Sequence, residues 1–118
     1  MKNWKPIFVE NSRIPVWLSY ISPIDIGAIT LGFIVFSRGV IDDRVRRHET
    51  IHFQQYLETF FIGFVILYIY DWIANRISTG DGELAYYLIR AELEAYENEH
   101  NEDYLLSRKR WKWMFEKI

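Results

Sequence analysis

The chain carries an H-E-x-x-H motif at residues 48–52 and only one further histidine, His100. On a helix, residues four apart lie one above the other, so the imidazoles of His48 and His52 can bind the same metal ion. Glu49 lies about 100° further round the helix, where its carboxylate can reach a water held by that ion. Two imidazoles and a neighbouring carboxylate are the groups that zinc-dependent hydrolysis requires. The alternative is a pair of surface histidines that share this spacing by chance.

A catalytic zinc site requires a third protein ligand, and Glu92 is the best candidate. At about 100° per residue, Glu92 lies in the middle of an apolar helix face, whereas Glu94 and Glu97 lie on the opposite, solvated face. An ionised carboxylate on an apolar face is costly unless it is paired or bound to a metal. We therefore expect His48, His52 and Glu92 to bind Zn²⁺. The alternative for Glu92 is a buried salt bridge to an arginine.

Two other residues lie where a third ligand could be expected, Glu58 and His100. Glu58 follows His52 at the spacing of the extended motif HExxHxxGxxH, but Gln55 replaces the glycine that turns the chain back in that motif. On a continuous helix Glu58 points about 120° away from His52, so a solvated helix acid is expected. His100 lies near a predicted helix end, where a cation favours the helix dipole. A site built from all three histidines is the remaining alternative.

Three further polar residues are candidates for supporting roles around the metal. Gln55 shares the helix stripe of the two histidines, and Glu99 lies on the same face as Glu92, so each could orient a ligand. Tyr96 lies near that face and is the candidate electrophile that would stabilise a tetrahedral oxyanion. The alternatives are a hydrogen bond from Gln55 to a loop carbonyl and a core position for Tyr96.

The elements that would position these residues begin with β-structure. The first 25 residues contain three prolines and are predicted to be irregular. Residues 27–36, GAITLGFIVF, are rich in β-branched and aromatic side chains. They predict a strand or a bent strand pair, with a bulge or kink at Gly32.

Three helices are predicted after the strand: a motif helix, a ligand helix and a C-terminal helix. Their approximate ranges are 43–75, 83–100 and 102–117. Asp42 or Asp43 caps the motif helix, which either runs on to its end or kinks at Gly63. A loop over residues 78–82, STGDG, precedes the ligand helix. This order predicts a single, mainly helical α+β domain over residues 1–118, with a short strand or hairpin before the motif helix.

The motif, the spacer over residues 53–91 and an E-x-x-A sequence at residues 92–95 resemble the gluzincin class of zinc metallopeptidases. The resemblance covers about residues 27–100 and extends to small, stand-alone HExxH proteins. Its local spacing is similar to the CAAX-protease and heat-shock-protease branch, whose pattern is E-x-x-A-D. It implies a minimal zincin-like core with Glu92 as the third zinc ligand. Tyr96 replaces the aspartate of that branch, and Glu99 could substitute for it.

Composition restricts the classes of function. The 118 residues are 50% hydrophobic and 18% aromatic, carry a net charge of −2 and include no cysteine. This composition argues against disorder and gives no support to nucleic-acid binding. A metal site must therefore use histidine, glutamate or aspartate. Because the N-terminus does not lead into a signal-peptide pattern, a cytoplasmic protein is expected.

Two apolar segments leave membrane association open. Residues 60–70, FFIGFVILYIY, form an uncharged run shorter than the ~20 residues of a spanning helix. This run is either a buried core helix or a membrane-contacting segment. In residues 107–118 an apolar stripe lies beside basic residues, which suits an anionic lipid surface or a terminal helix packed on the core. The stripe consists of Trp111, Met114, Phe115 and Ile118.

These residues favour a zinc-dependent metallopeptidase that acts on a peptide or protein substrate. Glu49 would take a proton from a zinc-activated water and pass it to the leaving amine. The edge of the strand over residues 28–36 could bind an extended peptide by strand addition. The alternatives are a non-catalytic helical protein stabilised by zinc and a membrane-associated helical protein that binds a partner.

Overall fold

The structure is a computed structural model that describes residues 4–22 and 24–115. The described helices are α1 (Ile14–Ser19), α2 (Asp43–Glu58), α3 (Ile62–Thr79), α4 (Gly82–Tyr87), α5 (Arg90–Asn98) and α6 (Tyr104–Ser107), followed by a short 3₁₀ helix over Lys112–Phe115. The strands are β1 (Ile7–Val9), β2 (Ala28–Leu31) and β3 (Ile34–Ser37). The prediction of a mainly helical α+β fold is confirmed.

The three strands form one small sheet in the order β1-β3-β2. Strands β2 and β3 are an antiparallel hairpin, which is the strand-pair form of the prediction for residues 27–36. Gly32 lies in the hairpin turn with a φ of 66°, a conformation that glycine adopts without steric cost. As the outer strand of this order, β2 runs beside α2 and lies next to the motif.

The N-terminal stretch is more regular than the sequence predicts. Strand β1 pairs in parallel with β3, and helix α1 follows it. Pro15 lies in the first turn of α1, where a missing N–H costs nothing because that group has no partner inside the helix. Pro6, before β1, and Pro15 are therefore compatible with these elements, and the prediction of an irregular stretch is wrong here.

The motif helix ends earlier than predicted. Asp42 caps α2 by accepting a hydrogen bond from the Val45 N–H at 2.8 Å, as expected for a helix start. The helix ends at Glu58, and α3 begins after a bend of 112°. Phe60 and Phe61 carry the turn with φ values of 55° and 66°. The break thus precedes Gly63, the kink site that the sequence suggested.

The ligand helix is also divided. Helices α4 and α5 are separated by Leu88 and by Ile89, which is fully buried in extended backbone. The first N–H of α5, from Arg90, donates to a carboxylate oxygen of Asp71 on α3 at 3.1 Å. A side chain from another helix therefore caps α5, which explains why the continuous helix predicted over residues 83–100 does not form.

The C-terminal helix predicted over residues 102–117 is reduced to α6 and the 3₁₀ helix, and residues 116–118 lie outside the described part of the chain. Trp113 packs into the core with Tyr56, Phe64 and Ile89. This core holds α2, α3 and α5 together. Among the described residues no single helix is long and apolar enough to cross a membrane; α2 and α3 pass that test as a pair, with the bend between them.

Candidate metal centre

Helix α2 presents the motif to the interior of the protein. His48, Glu49 and His52 are each only 5–6% exposed, and one nitrogen or oxygen atom from each lies within 4.8 Å of the others. Buried titratable groups are costly in isolation, so a cluster of three on one helix turn requires partners or a bound ion. This group could bind a metal ion.

Glu92 completes the cluster from the first turn of α5. Its Oε1 lies 3.0 Å from the Nε2 of His52 and 3.3 Å from the Nε2 of His48. In a tetrahedral zinc site with bonds of about 2.0 Å, neighbouring ligand atoms lie about 3.3 Å apart. The two distances from Glu92 to the histidines are therefore close to the spacing that such a site needs.

Glu92 and the two imidazoles stabilise each other's charges. Burial alone lowers the pKa of His52, but the adjacent Glu92 carboxylate outweighs burial and raises that pKa to about 9. Burial likewise opposes ionisation of Glu92, and the two histidines reverse this and lower its pKa. In the metal-free protein Glu92 is thus an ionised carboxylate paired with protonated His52.

Gln55 holds the second ring nitrogen of His52. The Gln55 side chain is fully buried, and its Nε2 donates to the Ala91 carbonyl at 3.1 Å and to a Glu94 carboxylate oxygen at 2.8 Å. Its Oε1 must then accept from the Nδ1 of His52, at 2.8 Å. When His52 is neutral, this contact leaves Nε2 as the unprotonated nitrogen, available to a metal.

Glu99 lies near His48, although it is not hydrogen-bonded to it. Its Oε1 is 3.7 Å from the Nδ1 of His48, and this nitrogen has no hydrogen-bond partner among the described residues. Arg44 donates to the other carboxylate oxygen of Glu99 at 2.6 Å, and Arg47 donates to its carbonyl. Arg44 therefore holds the Glu99 carboxylate, and Arg47 the Glu99 backbone, close to the ring that this carboxylate was expected to orient.

Thr30 of strand β2 positions Glu49. The Thr30 hydroxyl lies 3.0 Å from Oε1 and 3.1 Å from the carbonyl of Glu49, whereas Oε2 of Glu49 lies 3.7 Å from the Nε2 of His48. One carboxylate oxygen of Glu49 is thus hydrogen-bonded to strand β2, and the other faces the histidines. Thr30 was not a candidate from the sequence. Its hydroxyl is the only polar side-chain group in residues 27–36, and this isolated polar group is the feature of the sequence that could have indicated a role for Thr30.

No protein-family model, no curated protein and no solved structure matches this chain. The resemblance to gluzincins therefore stays a prediction made from the residues.

Two tyrosines approach the cluster, and the sequence singled out only one of them. The Tyr96 ring packs edge-on against His48, and its hydroxyl lies 3.0 Å from that of Tyr86. The Tyr68 hydroxyl, from α3, donates to Oε2 of Glu92. Burial and the Glu92 charge raise the pKa of Tyr68 well above its ordinary value, so this hydroxyl is a proton donor at any physiological pH. The sequence indicated Tyr68 only as part of the apolar run over residues 60–70.

The remaining acidic candidates lie in a separate cluster around Arg108. The Arg108 guanidinium contacts Glu58 at 2.9 Å and Glu94 at 2.8 Å, and both carboxylates are buried. The expectation that Glu58 and Glu94 are solvated is wrong, because a basic residue of the C-terminal segment turns inward to pair with them. His100 is exposed beyond the end of α5.

A cavity of about 630 Å³ gives access to the cluster. His48, Glu49, His52 and Glu92 contribute to its wall. Strand β2 and residues 21–22 and 24–27 line one side, and α3 lines another with apolar and aromatic side chains. The cavity therefore offers space beside the buried carboxylates and a strand along that space.

Proposed function

We propose that this protein is a zinc-dependent hydrolase of peptide bonds whose metal is bound by His48, His52 and Glu92. The observation that carries the proposal is the convergence of two Nε2 atoms on Oε1 of Glu92, at 3.0 and 3.3 Å, in a buried cluster that also contains Glu49. Two imidazoles and one carboxylate form the ligand set of several hydrolytic zinc sites. A bound zinc ion would lower the pKa of a water molecule to about 7.

Glu49 is the proposed general base. Its Oε2 faces the histidines, while the Thr30 hydroxyl holds Oε1. A carboxylate held in this way can take the proton of the attacking water and return it to the leaving amine without a large movement of its own. The edge strand β2 could align an extended peptide along the cavity through main-chain hydrogen bonds.

The proposal is tested by measuring zinc content and cleavage of a mixed peptide library, detected by mass spectrometry, for the wild type and Glu49→Gln. The substitution keeps the shape of the side chain and removes the base. It should therefore retain stoichiometric zinc and slow hydrolysis by at least about 10²-fold. Glu97→Gln on the exposed side of α5 is the matched control and should behave as the wild type. Zinc-loaded wild type without cleavage would favour the non-catalytic, zinc-stabilised alternative.

Tyr68 is the proposed electrophile that stabilises the tetrahedral oxyanion, in place of Tyr96. The Tyr68 hydroxyl is aimed at Glu92, whereas the Tyr96 hydroxyl is engaged with Tyr86. Loss of one donor to an oxyanion typically lowers kcat by about 10²–10³-fold. We expect this loss in Tyr68→Phe assayed in excess zinc, because Tyr68 also holds the ligand Glu92, and a much smaller change in Tyr96→Phe. The reverse order of effects would return the role to Tyr96.

A further inference from the structure

Helix α3 exposes an unusually apolar surface. At about 100° per residue, its large exposed side chains fall within an arc of about 140°. They are Ile62, Val65, Ile66, Ile69, Tyr70, Ile73 and Ile77, here called the α3 outer face, and they are between 45% and 80% exposed. Contiguous apolar patches of this kind are rare on monomeric soluble domains and mark sites of contact with a partner or a membrane.

Two polar residues of α3 face the protein interior. Asp71 and Asn75 are only 1–2% exposed. Asp71 pairs with Arg90 at 2.8 Å, and the Asn75 amide donates to the Ala85 carbonyl at 3.1 Å. A helix on a water-exposed surface has the opposite polarity, with aliphatic residues inside and polar residues outside. Polar groups turned towards protein and aliphatic groups turned outward are typical of helices that contact lipid.

The charges of α3 fit a lipid environment as well. Asp71 faces inward and is neutralised by its buried ion pair with Arg90. Arg76 is therefore the only charged residue on the outer side of the helix. Arg76 lies in the last turn, where a long basic side chain can reach lipid phosphates while its stem stays among apolar groups. From Ile62 to Ile73 the outer face carries no charge and only one side-chain hydrogen-bonding group, the Tyr70 hydroxyl.

We propose that the α3 outer face inserts into the surface of a lipid bilayer, with the helix axis close to the membrane plane. A second protein copy would be expected to meet a polar rim, with about one hydrogen bond per 100–200 Å² of interface, and the outer face offers almost no such groups. Phe60, just before the helix, is 88% exposed at a positive φ, and it extends the apolar surface.

The bilayer surface would adjoin the cavity. Val65 and Ile69 belong to the outer face and also line the cavity wall, and Ile21, which is 85% exposed, lines it from the other side. This docking rests on the exposure and polarity of α3 and holds whether or not the metal centre is catalytic.

Flotation of the full-length protein with phosphatidylcholine vesicles, with and without phosphatidylglycerol, tests the proposal. The wild type should float with both, because the contact is mainly apolar. Ile66→Glu/Ile73→Glu adds two carboxylates to the outer face at positions that do not line the cavity. It should reduce the vesicle-bound fraction at least about tenfold, since charged side chains are strongly disfavoured in hydrocarbon.

The matched control is Val40→Glu/Leu106→Glu, which places the same charges on exposed apolar residues outside α3. This variant should float like the wild type, and circular dichroism should show all three proteins equally folded. A wild type that stays unbound would overturn the proposal. Equal flotation of both variants would also overturn the proposal. A third contrary result would be a wild-type protein that sediments as a dimer and does not bind vesicles, if only the Ile66→Glu/Ile73→Glu substitutions abolish that dimer.

Discussion

The two histidines of the motif differ in how their second ring nitrogen is held. The Nδ1 of His52 is hydrogen-bonded to Gln55, whose own amide is fixed by two acceptors. The Nδ1 of His48 faces Glu99 across 3.7 Å, a distance too long for a hydrogen bond. His52 is therefore the more firmly oriented ring, and any adjustment on metal binding should involve His48 and Glu99.

At the same scale, Glu92→Gln should remove most of the zinc affinity. Outer partners of metal ligands typically contribute about 10–100-fold to affinity, so loss of the charged ligand itself should cost at least about 100-fold. Competition with a chromophoric chelator measures the affinity. Glu97→Gln on the same helix, exposed and outside the cluster, should leave it unchanged. Equal affinities in the two variants would exclude Glu92 from the metal site.

At the scale of elements, Arg108 connects three parts of the fold. Its guanidinium contacts Glu58 of α2 and Glu94 of α5 from the C-terminal segment. Tyr104 of α6 donates to the same Glu94 carboxylate at 2.6 Å, and the Trp113 indole N–H donates to Glu58 at 2.9 Å. This cluster therefore bridges α2 and α5, the two helices that carry the metal-centre residues.

Arg108→Met should destabilise the protein by about 3–5 kcal/mol, because it leaves two buried carboxylates without their cation. Urea unfolding of the metal-free protein, followed by circular dichroism, measures the change. Lys109→Met at the adjacent exposed position is the control and should change the free energy of unfolding by less than about 0.5 kcal/mol. A similarly small effect of Arg108→Met would mean that the two carboxylates find other partners.

At the scale of the whole molecule, the metal centre links residues that are far apart in sequence. His52 on α2 and Glu92 on α5 meet between the sheet and α3, so an ion bound there would add a further link between two helices that are already joined by packing and by the hydrogen bonds of Gln55. Ligands that bind only the folded state stabilise it by mass action, by about 2.7 kcal/mol at a hundredfold excess over Kd. Metal binding and folding should therefore be coupled in this protein.

Zinc should raise the Tm, and the rise should grow between about pH 6.5 and 9. The pKa of His52 is raised to about 9 in the folded, metal-free protein, so its ion pair contributes stability that is fully present below about pH 6.5 and is lost as pH rises through 9. Zinc must displace this proton, so its binding strengthens over the same interval. Thermal unfolding with and without zinc at several pH values checks this, with magnesium as the control. A zinc-induced shift independent of pH would show that no proton is displaced from His52.

Local and periodic features were predictable from the sequence. The spacing of His48 and His52, the cap at Asp42 and the inward direction of Glu92 all follow from helix geometry, and the hairpin follows from the composition of residues 27–36. These features depend on residues that lie within one or two helical turns of each other, and the sequence gives those neighbours directly. The identity of the third residue beside the two histidines was accessible because a lone carboxylate on an apolar face needs a partner.

Long-range contacts were decided only by the tertiary structure. The breaks after Glu58 and before Arg90 arise where aromatic packing of Phe61 and a carboxylate from α3 outweigh helix propensity, which is worth less than about 1 kcal/mol per residue. Tyr68 and Thr30 reach the cluster from other elements, so no spacing within α2 reveals them. Which residues of α3 are exposed likewise depends on which side of the helix packs against the rest of the protein. The sequence by itself determined which residues could form a metal centre, and the packing of α3, α5 and the sheet around α2 decided what surrounds it.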